Sequence, residues 1–174
     1  MGEELSPWAE LASRVIRVAL ARCNRGYAEV ATALNEMGFS EGEHALSVRV
    51  SRGTIKFTLL LQILTISGDE PPSLWRAALA SDASWEVRAR DVMSAELSEQ
   101  PWIALPEIVR RLATIGVITT EKTLRSHFAA GTFSLSLFIQ CMTVLRSSSL
   151  ASYVSTRALA SAVTSSRMTA DQNQ

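Results

Sequence analysis

The residues best suited to chemistry lie in one short stretch, Glu43 to Lys56, and in a thinner copy of it further along the chain. On a helix, Leu46 and Val50 fall on one apolar face at i, i+4 spacing. His44, Ser47 and Ser51 then share the opposite face, Arg49 and Arg52 flank it, and Lys56 follows just beyond Gly53. Arginine pairs with guanine edges or with phosphates, while serine and histidine make short polar contacts, so the set suits recognition of duplex DNA. The matching residues of the second stretch are Lys122, Thr123, Arg125, Ser126 and His127. There His127 replaces Arg49 and Ala130 replaces Arg52, which thins the cations.

Bond-making chemistry has no comparable support. The sequence has no glycine-rich phosphate loop or HExxH motif, and its GxSxG match, Gly38 to Gly42, falls in an expected turn between two helices and not in the strand-to-helix elbow that a nucleophilic serine needs. Glu41/Glu43 and Asp69/Glu70 fall in expected turns and helix starts, where carboxylates favour the positive end of the helix dipole. The two cysteines, Cys23 and Cys141, lack CxxC spacing, and His44 and His127 lie far from both. Small core thiols in a reducing compartment are expected, with no zinc site, no cofactor and no small-molecule substrate. Lys+Arg and Asp+Glu are both 17, so the net charge is zero. That balance argues against a protein that coats nucleic acid non-specifically, but leaves room for a compact binder with its cations on one face.

What must position these residues is a repeat. Shifted by 78 residues, the chain resembles itself: the identities include Glu29/Glu107, Leu34/Leu112, Gly38/Gly116, Leu46/Leu124, Gly53/Gly131, Thr54/Thr132 and Gln62/Gln140. Roughly two or three chance matches would be expected over forty positions of average composition. Upstream the offset falls by one, aligning Trp8 with Trp85 and Val15 with Val92. Apolar periodicity predicts four helices in each copy. The first unit has a helix entered at Ser6-Pro7, one from about Tyr27 to Met37 stopped by Gly38, one over Glu43 to Arg52, and an apolar one over Phe57 to Ser67. The second has helices over Ser84 to Leu97, Pro106 to Ile115, Glu121 to Ala130 capped by Thr120, and one capped by Ser134 that runs to about Leu145.

Helix, glycine-marked turn, helix, glycine and apolar helix is the order found in helix-turn-helix domains. The run from Leu46 through Arg49, Val50, Ser51, Arg52 and Gly53 to Thr54 resembles the end of the recognition helix in lambda-repressor-like (Cro/Xre-type) domains. The Trp8 helix, then Tyr-Ala-Glu-Val-Ala from Tyr27, then Arg52-Gly53-Thr54 before the helix of Leu61 and Gln62, also resembles a small bacterial domain family of unknown function held to be helix-turn-helix-like. The likeness covers Trp8 to Ser67 well and Trp85 to Leu145 more loosely. It implies a fold and double-stranded DNA binding, and names no target.

The expected architecture is therefore all-α: residues 6–80 and 81–147 as two helix-turn-helix-like units packed as a pseudo-dimer through their first and last helices. Residues 148–174 follow as a C-terminal helix and a flexible tail, disordered from Ser165. Such a chain could address two half-sites as a transcriptional regulator. The alternative is a protein-interaction module (an antiactivator, antitoxin or adaptor) or homodimer without DNA affinity, which would display an apolar patch at Phe57, Leu60 and Phe138. The four tryptophans and Tyr27 are expected to pack, and the two histidines to be surface polar groups. An acidic start without a basic signal region, and no apolar stretch near the ~20 residues that span a bilayer, predict a cytoplasmic protein without a membrane segment.

The two-sided third helix yields a first test. Leu46→Ala should cost about 2–5 kcal/mol, the range for a buried leucine. A cost below about 1 kcal/mol in urea titration would mean the helix is rotated and its polar face misassigned.

Overall fold

A computed structural model describes residues 5–172 and is helical throughout, apart from one isolated antiparallel bridge. The first unit comprises α1 (Pro7–Arg22), α2 (Tyr27–Glu36), α3 (Glu43–Ser51) and α4 (Phe57–Ser67). A 3₁₀ turn at Ser73–Trp75 and the short α5 (Arg76–Ala80) lead to the second unit. That unit is α6 (Trp85–Ser98), α7 (Leu105–Thr114), α8 (Glu121–Ala130) and α9 (Leu135–Leu145), followed by α10 (Thr156–Gln172). Side-chain caps explain the starts. Ser6, Ser84, Thr120 and Ser134 each accept from a backbone N–H three residues on, at 3.0–3.3 Å, satisfying donors that a helix's first turn leaves free. Leu46, Val50, Leu124 and Phe128 are all buried, as their spacing predicts.

The two units interlock about a pseudo-twofold axis. α1 packs on α9 and α6 packs on α4, so each unit's first helix lies against the other's fourth, while α4 and α9 meet at the centre. The axis passes between Lys56 and Ser134, equivalent residues that form the bridge. Phe57 N donates to Phe133 O at 3.1 Å and Leu135 N to Ile55 O at 2.8 Å, the same bond made twice by exchanged positions. That reciprocity defines an isologous interface. Beneath it Phe57 stacks on Phe138 at 3.8 Å, and Trp75 meets the edges of both rings at 5.5 Å. Phe57, Leu60 and Phe138 are fully buried here, so they form no surface patch. Their apolarity is consumed inside the chain by the pseudo-dimer contact.

Gly53 and Gly131 hold the third helices in place. Both have φ of +65°, a left-handed conformation that costs any residue with a Cβ about 1–2 kcal/mol. A Cβ at Gly53 would stand 2.2 Å from Ala9 O in the first turn of α1, and one at Gly131 would stand 1.8 Å from Glu86 O in α6. The end of each third helix thus lies directly on its own unit's first helix.

Beyond the repeat, the structure departs from expectation in two places. The tail expected to be disordered from Ser165 is helical to Gln172, because the small Ala and Ser residues of α10 allow it to pack closely along α1. Ser166 is buried against Gly116, and Arg167 Nε donates to Thr114 O at 2.6 Å; residues 173–174 lie outside the described residues. Trp102 does not pack: it is 76% exposed in the α6–α7 loop. Trp8 and Trp75 are core residues, Trp85 is half-buried beneath the Arg88 guanidinium at 4.3 Å, and Tyr27 packs against the core at the entry to α2.

The glycine contact gives the next test. Gly53→Ala should cost about 2–5 kcal/mol, combining left-handed strain with displacement of the α1 backbone. Urea denaturation measures it, and a loss below about 1 kcal/mol would show that α1 and α3 are free to separate.

Candidate nucleic-acid interface

The α2–α3 connection spans Met37 to Gly42, longer than a tight turn, and one side chain organises it. Asn35 Nδ2 donates to Ala31 O at 2.7 Å and to Glu41 O at 2.6 Å, while its Oδ1 accepts from Glu41 N at 3.2 Å. With the loop backbone fixed in this way, α3 leaves at a defined angle. In the second unit Thr120 performs the equivalent duty as a direct cap on α8.

The third helices present the expected polar faces. His44, Arg49, Ser51, Arg52 and Lys56 are exposed and Ser47 is half-buried; Lys122, Thr123, Arg125, Ser126 and His127 are all exposed. Two of the cations are already engaged, because Arg49 is ion-paired with Glu41 and Arg125 with Glu121. Arg52, Lys56 and Lys122 form no salt bridge among the described residues. Lys56 sits at the pseudo-dyad and Arg52 at the end of α3 four residues before it, whereas Lys122 lies in the first turn of α8, at the end farthest from Gly131. Of the third-helix cations, the free ones thus gather at the Gly53 end of unit 1 instead of forming one stripe across both helices.

Sequence reasoning missed three members of this surface. Thr54, Thr132 and Ser134 are exposed beside Lys56 where the dyad emerges. Across an extended pair, alternate residues face opposite sides, so these four point out while Ile55, Phe57, Phe133 and Leu135 point in and are buried. The sequence signal for this is the alternation itself, Thr-Ile-Lys-Phe matched to Thr-Phe-Ser-Leu. The Glu121–Arg125 pair is legible as i, i+4 spacing, but the Glu41–Arg49 pair depends on the path of the loop.

Other candidate chemistry is thin. Among the described residues no His/Cys/Asp/Glu group could hold a metal ion. Cys141 is in the core, where burial pushes its thiol up to about 12, and Cys23 ends α1 with its thiol on the Ala19 and Leu20 carbonyls. Glu107 is clamped by Arg110 and Arg111, which hold its carboxyl down at about 2, so the charges of α7 are held in one cluster of two guanidiniums on one carboxylate. A groove of about 650 Å³ runs between α1 and α10, lined by Trp8, Arg14, Ser161 and Thr169 among others. No helix among the described residues is long and apolar enough to cross a membrane.

The model of one protein family, a domain of unknown function (DUF6471), matches the chain twice, over residues 8–70 and 85–150. No curated protein and no solved structure matches it.

The pairing of Arg49 predicts a small stability effect. Both partners are partly exposed, so the ion pair should contribute less than about 1 kcal/mol. Glu41→Gln should therefore leave the urea midpoint nearly unchanged; a loss above about 2 kcal/mol would mean that the carboxylate braces the α2–α3 loop.

Proposed function

Since the chain belongs to the DUF6471 family and carries its domain twice, we propose from geometry that it binds double-stranded DNA through α3 and α8 and acts as a transcriptional regulator. The observation that carries the reading is the placement of two exposed third helices about a twofold axis, with Lys56, which forms no salt bridge among the described residues, exposed where that axis reaches the surface. The arrangement is that of a helix-turn-helix dimer made within one chain: the second helix braces and the third presents its polar face. The resemblance of Leu46 to Thr54 to Cro/Xre-type recognition helices supports the same assignment. Burial of the apolar fourth helices removes the main surface an interaction module would have used. Nucleic-acid contact takes place on the polar side of α3: Arg49, Arg52 and Lys56 supply the charge, and His44, Ser47 and Ser51 the short contacts. In α8 the same work falls to Lys122, Thr123, Arg125, Ser126 and His127, with weaker charge.

A second reading, a helical protein-interaction module without DNA affinity, is favoured by two other observations. Carboxylates neutralise Arg49 and Arg125, and Trp102 and Ile118, the latter 81% exposed, offer isolated apolar side chains on unit 2.

Fluorescence anisotropy with labelled genomic duplexes at about 50–200 mM salt separates the two. Arg52→Ala should weaken binding roughly 5- to 100-fold, and Arg49→Ala less, since Glu41 already holds that guanidinium. A base-reading residue changes sequence preference, whereas a phosphate-binding one weakens all sequences alike and flattens the salt dependence. Absence of binding at low salt, or binding untouched by the double variant, would hand the protein to the interaction reading.

A further inference from the structure

Tandem domains can bind DNA in the same orientation or in opposite ones, and the bridge at Lys56 and Ser134 distinguishes the two. We infer that the DNA this chain takes is an imperfect inverted repeat whose half-site centres lie one helical turn apart, with Lys56 over the minor groove between them. The inference rests on the DNA-binding reading above and specifies its substrate.

The first part follows from symmetry. The hydrogen bonds from Phe57 N to Phe133 O and from Leu135 N to Ile55 O exchange equivalent positions, so the units are related by a twofold rotation and not by a translation. A twofold-related pair of reading helices meets the two strands of a duplex in the same sense, which requires inverted half-sites. The halves are unequal because Arg52 is matched by Ala130 and Lys56 by Ser134.

Chain length sets an upper limit on the spacing. The bonds flank the Lys56–Ser134 pair, making it a non-hydrogen-bonded pair with Cα atoms about 4.5 Å apart. Three residues lead back from each to Gly53 and Gly131, at most about 3.6 Å per residue, and the helices then advance about 1.5 Å per residue. The centres of α3 and α8 are thus no more than about 45 Å apart. One turn of DNA, about 34–36 Å, lies within that reach, and two turns do not.

The position of Lys56 follows from both. When two helices occupy successive major grooves on one face of a duplex, the minor groove between them faces the dyad. Lys56, Ser134, Thr54 and Thr132 are the exposed side chains there. A single ammonium over a minor groove adds phosphate attraction without distinguishing bases in either half.

The test is selection of a random-sequence duplex library by the full chain at about 50 mM salt. Anisotropy then follows on labelled duplexes carrying the enriched half-site in inverted, direct and single arrangements. Two unequal inverted halves with centres about 10 base pairs apart should emerge, bound at least about tenfold tighter than direct or two-turn arrangements. Lys56→Ala, checked by circular dichroism for an unchanged fold, should weaken all sequences in proportion and lower the salt slope by about one. Direct repeats, a lone half-site or a two-turn spacing would overturn this inference while duplex binding stands. No enrichment of any duplex would remove the DNA reading itself, and this inference with it.

Discussion

Two backbone hydrogen bonds across the pseudo-dyad are the constraint on which the rest of the molecule depends. The first N–H groups of α4 and α9 have no partner within their own helices, and Lys56 gives α4 no side-chain cap. Both helix starts are buried by the apolar residues around them, where an unpaired donor costs about 1–3 kcal/mol. Each donor finds its acceptor in the other unit, Phe57 on Phe133 and Leu135 on Ile55, so neither fourth helix is correctly started without its counterpart. The aromatic cluster of Phe57, Phe133, Phe138 and Trp75 then fills the space beneath. Polar satisfaction and apolar burial thus select the same arrangement.

From this centre the asymmetry between the halves follows in steps. Trp75 and Tyr153 occupy equivalent positions, and both are buried aromatics just after a fourth helix. After Trp75 the chain turns within a few residues to begin α6, so α5 stays short, whereas after Tyr153 nothing interrupts α10 and it continues along α1. The polar partners differ too. Trp75 Nε1 donates to the buried Glu96 carboxyl at 2.6 Å, which also accepts from Ser147 Oγ at 2.7 Å. Tyr153 instead lies under Arg22, 5.5 Å from the guanidinium carbon, and Arg22 in turn holds Asp69 at 2.9 Å. The paired cation keeps the Asp69 carboxyl below its ordinary range, and burial raises the Tyr153 hydroxyl. A duplicated scaffold has been fastened by two different sets of contacts.

The polar faces of α3 and α8 have diverged on that common frame. Their apolar anchors, Leu46 and Val50 against Leu124 and Phe128, remain equivalent because each must fill the same space under its helix. The outward residues carry no such demand, and there Arg52 is matched by Ala130 and Arg49 by His127. Packing tolerates little change, whereas a solvated face accepts almost any polar residue.

The amino-acid sequence by itself determined the local structure: the four-helix units, their caps at Ser6, Ser84, Thr120 and Ser134, and the buried faces of the third helices. Those features arise from periodicity and from side chains acting on their own backbone within three or four residues, so a linear reading contains them. The 78-residue self-match likewise made the duplication and the pairing of the units legible. Only the tertiary structure decided the twofold symmetry with which the units meet, since the bridge at Lys56 and Ser134 joins segments 78 residues apart and its symmetry is a property of space. It also decided that Glu41 holds Arg49, that α10 lies ordered against α1, and that Trp102 faces solvent. Each of these depends on what long-range folding brings beside a side chain, and residue type and spacing do not encode that neighbour.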